Sequence, residues 1–142
     1  MNENSTRTPD PVIDAVIAAI RFDANGLVAA IAQQHDTGEV LMMAWMNETA
    51  VRETLETARV CYFSRSRGKL WRKGETSGQT QHLRDLRVDC DGDTLLLLVH
   101  QDGVACHTGR RSCFYRAARP DGLVEIAAPE VSPDALYGHK HG

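Results

Sequence analysis

Long apolar runs are missing from this sequence. The longest, Val40 to Met46 (VLMMAWM), falls far short of the ~20 residues that a membrane-spanning helix needs. The first residues, MNENSTRTPDP, lack the basic-then-apolar design of a secretory signal. Cysteine is scarce too. The four (Cys61, Cys90, Cys106, Cys113) form no C-x2-C pair, which argues against a zinc finger or ribbon. Strong charge of one sign is also absent, since the formal net charge is −3 over 142 residues, and this excludes a chain that coats nucleic acid along its length. Neither H-x-E nor P-C-x-x-C occurs, so the zinc base deaminases are excluded. What remains is a single cytoplasmic domain, long enough to bury a core without disulfides.

The hydrophobic pattern predicts an α+β fold, mostly antiparallel sheet with one or two short helices. Asp14 is the expected N-cap of a helix over Ala15 to Ile20. LVAAIAQQ, HDTGE and VLMMAW read as strand, turn and strand from Leu27. Asn47 caps a second helix with Ala50, Val51, Thr54, Leu55 and Ala58 on one face. VCYFS (60–64), Gln79 to Asp89, the buried run 94–101, CFYRAAR and LVEIA (123–127) read as further strands. Residues 65–78 read as a long loop. The predicted core runs from about 22 to 119. Residues 1–10 and 128–142, the latter with His139 and His141, are expected to be loose tails.

Chemistry concentrates between Arg84 and Arg116. Cys90, Cys106 and Cys113 lie on three separate pieces of chain. Three thiolates leave zinc one position short of tetrahedral, the mark of a catalytic site with room for water. His107, beside Cys106, suits proton transfer near neutral pH. Arg110 and Arg111 are placed to offset thiolate charge. Cys61, inside an apolar strand, reads as a core thiol.

Asp89, Asp91 and Asp93 surround Cys90, and carboxylates suit magnesium rather than zinc. In an extended strand Asp89 and Asp93 would stand roughly 13 Å apart, so a shared ion requires the chain to curl at Gly92. An EF-hand fails, because Thr94 and His100 occupy the places of its glycine and glutamate. Spacing alone leaves an ordinary Asp-Gly turn and a metal site both open.

The stretch 65–78 carries Arg65, Arg67, Lys69, Arg72 and Lys73 around Trp71, then GETSG with Thr76 and Ser77. Cations, hydroxyls and glycine backbone together suit phosphate, and Trp71 suits a stacked base. The rival reading is a solvated loop, or a non-catalytic zinc module that binds nucleic acid through 65–73.

LMMAWMN (41–47), SRSRGKLWRKGETSG (64–78), DCDGD (89–93) and CHTGRRSCFYR (106–116) together closely resemble the phosphoribosyl-AMP cyclohydrolase family of histidine biosynthesis. The resemblance runs from about Leu27 to Arg116. Val104 stands where a proline looks more usual. Some relatives carry a second domain that hydrolyses phosphoribosyl-ATP, an activity not expected here.

The resemblance implies an enzyme that hydrolyses the purine N1–C6 bond of 1-(5-phosphoribosyl)-AMP, the third step of the pathway, to a ring-opened imidazole carboxamide nucleotide. It implies an intertwined homodimer with each zinc shared, Cys90 from one subunit and Cys106 with Cys113 from the other. It matches Asp89, Asp91 and Asp93 to magnesium ligands and His107 to a catalytic histidine. The expected partners are a small nucleotide and a second copy of the chain, with neither nucleic acid nor membrane.

Overall fold

Four hairpins in chain order build most of the fold. In the computed structural model, which describes residues 7–132, 134 and 135, β1 (Val28–Gln34) pairs antiparallel with β2 (Val40–Met46), and β3 (Cys61–Ser64) with β4 (Lys69–Arg72). Likewise β5 (Gln81–Val88) pairs with β6 (Thr94–Gln101), and β7 (Arg116–Arg119) with β8 (Gly122–Glu125). The first and third hairpins join through a parallel β1–β6 contact, giving a sheet of order β2-β1-β6-β5. The α+β, mostly antiparallel class is therefore as expected. The parallel seam was not foreseen, because hydrophobic pattern marks strands but not which of them become neighbours.

Helix α1 spans Asp10–Ala19, starting earlier than predicted. Pro9 is its N-cap and Pro11 stands in its first turn, where a fixed φ favours helix and the missing N–H costs nothing. Asp14 does not cap; it accepts from Arg52 at 3.0 Å, tying α1 to α2. Ile13 is 1% exposed, so the core begins well before residue 22. Helix α2 (Glu48–Thr57) starts as predicted, with Asn47 Oδ1 accepting from the Ala50 N–H at 2.8 Å. It buries Ala50, Val51, Thr54 and Leu55 and ends on Ala58, a non-glycine at φ 61°. Among the described residues, no helix is long and apolar enough to cross a membrane.

The two central strands each bury one face. Val28, Ala30 and Ala32 of β1 and Leu95, Leu97 and Val99 of β6 enter the core beneath the helices. The opposite face carries Ile31, which pairs with Met43 on one side and Leu96 on the other, and Leu98 and Trp45 lie nearby. These side chains are only half covered, and Met43 is 43% exposed. The continuous apolar run of β6 thus has one face buried by this chain and one open.

Parts of two stretches expected to be irregular make defined contacts among the described residues. The long basic loop contains β4, whose Trp71 sits opposite Tyr62 with ring centroids 4.9 Å apart. Its alternation was hidden by the basic residues on either side of Leu70 and Trp71. Near the C-terminus, the Glu130 and Val131 N–H groups both donate to the Gly109 carbonyl. His139 and His141 lie outside the described residues.

Candidate active site

The loop after β6 carries two of the three candidate thiols. The Ala105 N–H donates to the Arg111 carbonyl at 3.0 Å, Cys106 N–H to Arg110 at 3.1 Å, and Gly109 N–H back to Cys106 at 3.0 Å. Gly109 takes φ +87°, and a side chain there would collide with the Val131 carbonyl. The Cys113 N–H donates to the Leu41 carbonyl at 2.7 Å, which pins the loop's far end to the start of β2. His107 stands exposed on the turn.

The Cys106 and Cys113 side chains face each other. Cys106 is 5% exposed and its Sγ lies 3.0 Å from Thr108 Oγ1. Burial pushes the Cys113 thiol up to about 12, reinforced by the charge of Cys106 and a hydrogen bond to it, and opposed by Lys73. Cys113 is exposed as a whole residue, but its sulfur points inward. Two thiols in this state, with no acid or histidine among the described residues completing a cluster with them, are an incomplete soft-metal site.

Lys73 joins this pair to the basic segment. Its Nζ donates to the Ala105 carbonyl at 2.7 Å, and burial lowers its pKa, opposed by the neighbouring sulfurs of Cys113 and Cys106. Arg72 is held elsewhere: its guanidinium donates to both carboxylate oxygens of Glu53 at 2.7 and 2.8 Å. Arg65 lies 4.7 Å over the Trp45 ring. A cleft of about 530 Å³ is lined by Ser64, Ser66, Arg67, Trp71, Arg72, Lys73, Glu75, Thr76 and Ser77. A second, of about 670 Å³, is lined by Met43, Trp45, Phe63, Arg65 and Ser66, and Trp71 borders both.

The arginines expected to offset thiolate charge have other partners. Arg110 donates to Glu125 at 2.9 Å and to the Ala127 carbonyl, and lies 3.9 Å over the Tyr115 ring. Arg111 donates to the Gly103 carbonyl at 2.6 Å and to Gln34 Oε1 at 2.8 Å, with Glu39 at 3.4 Å.

Sequence reasoning missed the scaffold behind the loop. Tyr62 donates to Gln81 Oε1 at 2.7 Å, Gln81 donates to Gln101 Oε1 at 2.8 Å, and Gln101 donates to the Asp102 and Val104 carbonyls. Both glutamines are at most 2% exposed. A buried polar chain of this kind fixes a unique conformation because each unpaired member would be costly. The Val104 N–H donates to Gln79 Oε1 at 2.9 Å, a bond that proline at this position would lack. Inward-facing glutamines at Gln81 and Gln101 were the available signal. Cys61 is a core thiol, fully buried and pushed up to about 12 by burial first and Glu53 second.

The third thiol lies at the other end of the sheet. Cys90 is exposed in the β5–β6 turn, where Gly92 takes φ +75° and the Asp93 and Thr94 N–H groups donate to Asp89 Oδ1. Those amides, with that of Gly92, hold the Asp89 carboxyl below the usual range against the opposing effect of burial. Ligand atoms of Asp89, Cys90 and Asp91 lie within 4.8 Å of one another, while Asp93 Oδ1 accepts from Thr94 at 3.4 Å. The chain does curl at Gly92. Because 90–92 is a turn, strict strand alternation does not separate thiol from carboxylates. The eight-residue β6 separates Cys90 from Cys106, and its seven steps span about 23 Å. Among the described residues, no metal-competent cluster unites Cys90 with Cys106 and Cys113 in one chain.

Comparison with known proteins agrees with the motif pattern. The family profile described as phosphoribosyl-AMP cyclohydrolase matches residues 42–115. A protein of that name from Paramagnetospirillum magneticum is 75% identical over 123 residues, covering 87% of this chain and 93% of its own length. Another from Rhodospirillum centenum is 67% identical over 127 residues, covering 89% and 96%. One from Halorhodospira halophila is 59% identical over 140 residues, covering 97% and 99%. The chain belongs to the phosphoribosyl-AMP cyclohydrolase family, hydrolytic enzymes of histidine biosynthesis.

Proposed function

We propose that two copies of this chain form a dimer that hydrolyses the N1–C6 bond of 1-(5-phosphoribosyl)-AMP with help from a shared zinc. The observation that carries this reading is the division of the thiols: a facing pair at one end of β6 and a lone, exposed third at the other. A two-fold axis through the open sheet face, near Ile31, Leu96 and Leu98, runs the two β6 strands in opposite directions. It brings the Cys90 turn of each chain onto the Cys106 loop of its partner. The same packing covers apolar side chains that one chain leaves half exposed.

The residues present fit a zinc ion. Cys106, Cys113 and the partner's Cys90 would hold it, three soft donors that leave a fourth position free. When bound, zinc supplies Lewis acidity that lets water ionise near neutral pH. His107, exposed on the same turn, takes the proton from water as it attacks C6 and returns it to the departing N1. The N1-ribosyl group leaves the purine ring cation-like, so C6 is electrophilic. Trp71 and Trp45 offer stacking faces across the two clefts. Arg65, Arg67, Thr76 and Ser77 supply donors for two phosphomonoesters that together carry nearly −4. Asp89 and Asp91 converge on a site for magnesium, and Asp93 completes the set by leaving Thr94.

The test is ring opening of the nucleotide, followed by ultraviolet absorbance with purified chain. The expected result is turnover that a zinc chelator removes and added zinc restores. Chelator-insensitive turnover would remove zinc from the account. Absence of turnover, with polynucleotide affinity that falls steeply with salt, would favour the nucleic-acid module.

A further inference from the structure

Three thiolates around zinc leave an uncompensated charge of about −1, and a half-buried centre of that kind is stabilised by a nearby fixed cation. The thiol loop and the segment packed against it carry Arg110, Arg111, Arg72 and Lys73, and the three arginines are committed elsewhere. Arg72 is clamped by Glu53, Arg110 by Glu125 and Tyr115, and Arg111 by Gly103, Gln34 and Glu39. Lys73 is different. Among the described residues it has no carboxylate partner, it is half buried, and its Nζ rests on the carbonyl of Ala105, the residue before Cys106. Its ammonium and the sulfurs of Cys106 and Cys113 are close enough to perturb one another. The backbone holds it there. Its N–H donates to the Val60 carbonyl, and the next residue, Gly74 at φ +87°, packs so tightly that a Cβ would stand 2.6 Å from the Thr80 nitrogen.

We propose that Lys73 is a positioning residue for the thiolate centre: anchored on Ala105, its ammonium is the fixed counter-charge that makes this pair of sulfurs a tight zinc site, and phosphate is not its ligand. The inference rests on the reading that Cys106 and Cys113 hold the zinc. It separates Lys73 from Arg65 and Arg67, which stay on the substrate side.

Two substitutions divide the roles. Lys73→Gln keeps a donor for the Ala105 carbonyl and removes the charge; Lys73→Arg keeps the charge. Zinc affinity of each purified dimer is measured by competition with a chelating dye, and cobalt replacement reports thiolate ligation through its sulfur charge-transfer band. Lys73→Gln should weaken zinc binding about 10–100-fold, the usual scale for a group supporting metal ligands from outside their shell. Lys73→Arg should stay within a few fold of the parent. AMP binding to zinc-free protein should be unchanged in Lys73→Gln. If the glutamine variant does not fold, Lys73→Met removes charge and donor together, and zinc affinity unchanged in it would overturn the proposal equally. Zinc affinity unchanged in the uncharged variant, equal losses with Arg and Gln, or weakened AMP binding without zinc would each overturn the proposal. Retention of zinc by Cys106→Ser would instead overturn the ligand reading beneath it.

Discussion

Cys106→Ser is expected to leave the dimer folded, to empty it of zinc, and to lower ring-opening turnover by at least about 10³-fold. Serine matches cysteine in shape, and the main-chain bonds of the loop, from Ala105, Cys106 and Gly109, do not involve the side chain. Packing therefore changes little. Ligation changes completely, because a hydroxyl does not replace a thiolate as a soft donor. A Lewis acid contributes several kcal/mol to transition-state stabilisation, and about 4 kcal/mol is a factor of 10³. Elemental analysis and single-turnover absorbance check both halves. A serine variant that keeps zinc and full turnover would contradict the assignment.

His107→Ala is expected to keep one zinc per chain while kcat falls about 10²–10⁴-fold, the usual contribution of a positioned acid–base group. The residue is exposed on a turn whose shape is set by backbone bonds on either side, so its removal costs the fold little. KM should change less than kcat, since the loss belongs to proton transfer and not to binding. Zinc lost together with the imidazole would make His107 a ligand.

Part of the candidate site's layout was legible before the fold. Cys106, Cys113 and His107 stood out because a polar loop is a poor place for inert thiols. Gly92 and Asp-Gly spacing marked the turn that presents Cys90. Local rules sufficed there, as they did for the Asn47 cap, because the deciding interactions span only a few residues. What was not legible depended on distant partners. Asp14 reads as a cap until Arg52 of another helix claims it. Arg72 reads as a phosphate ligand, and nothing local shows that Glu53, nineteen residues away, accepts from its guanidinium. The Gln81–Gln101 chain required knowing that β5 and β6 pair with both glutamines facing inward. The parallel seam of β1 with β6 follows from tertiary packing alone.

In the proposed dimer each zinc site is complete only with a second copy, and mixed dimers separate that arrangement from a centre within one chain. Cys90→Ala and Cys106→Ala chains are each expected to be inactive alone. When they are dissociated together and reassociated, each hybrid carries one site with all three thiols and one with none of the mutated positions intact. Random mixing makes about half of the dimers hybrids, so about a quarter of parental turnover should return. Hybrids isolated by orthogonal tags should show about half, with one zinc per dimer. Verified hybrids that remain inactive and zinc-free would contradict a centre shared between chains.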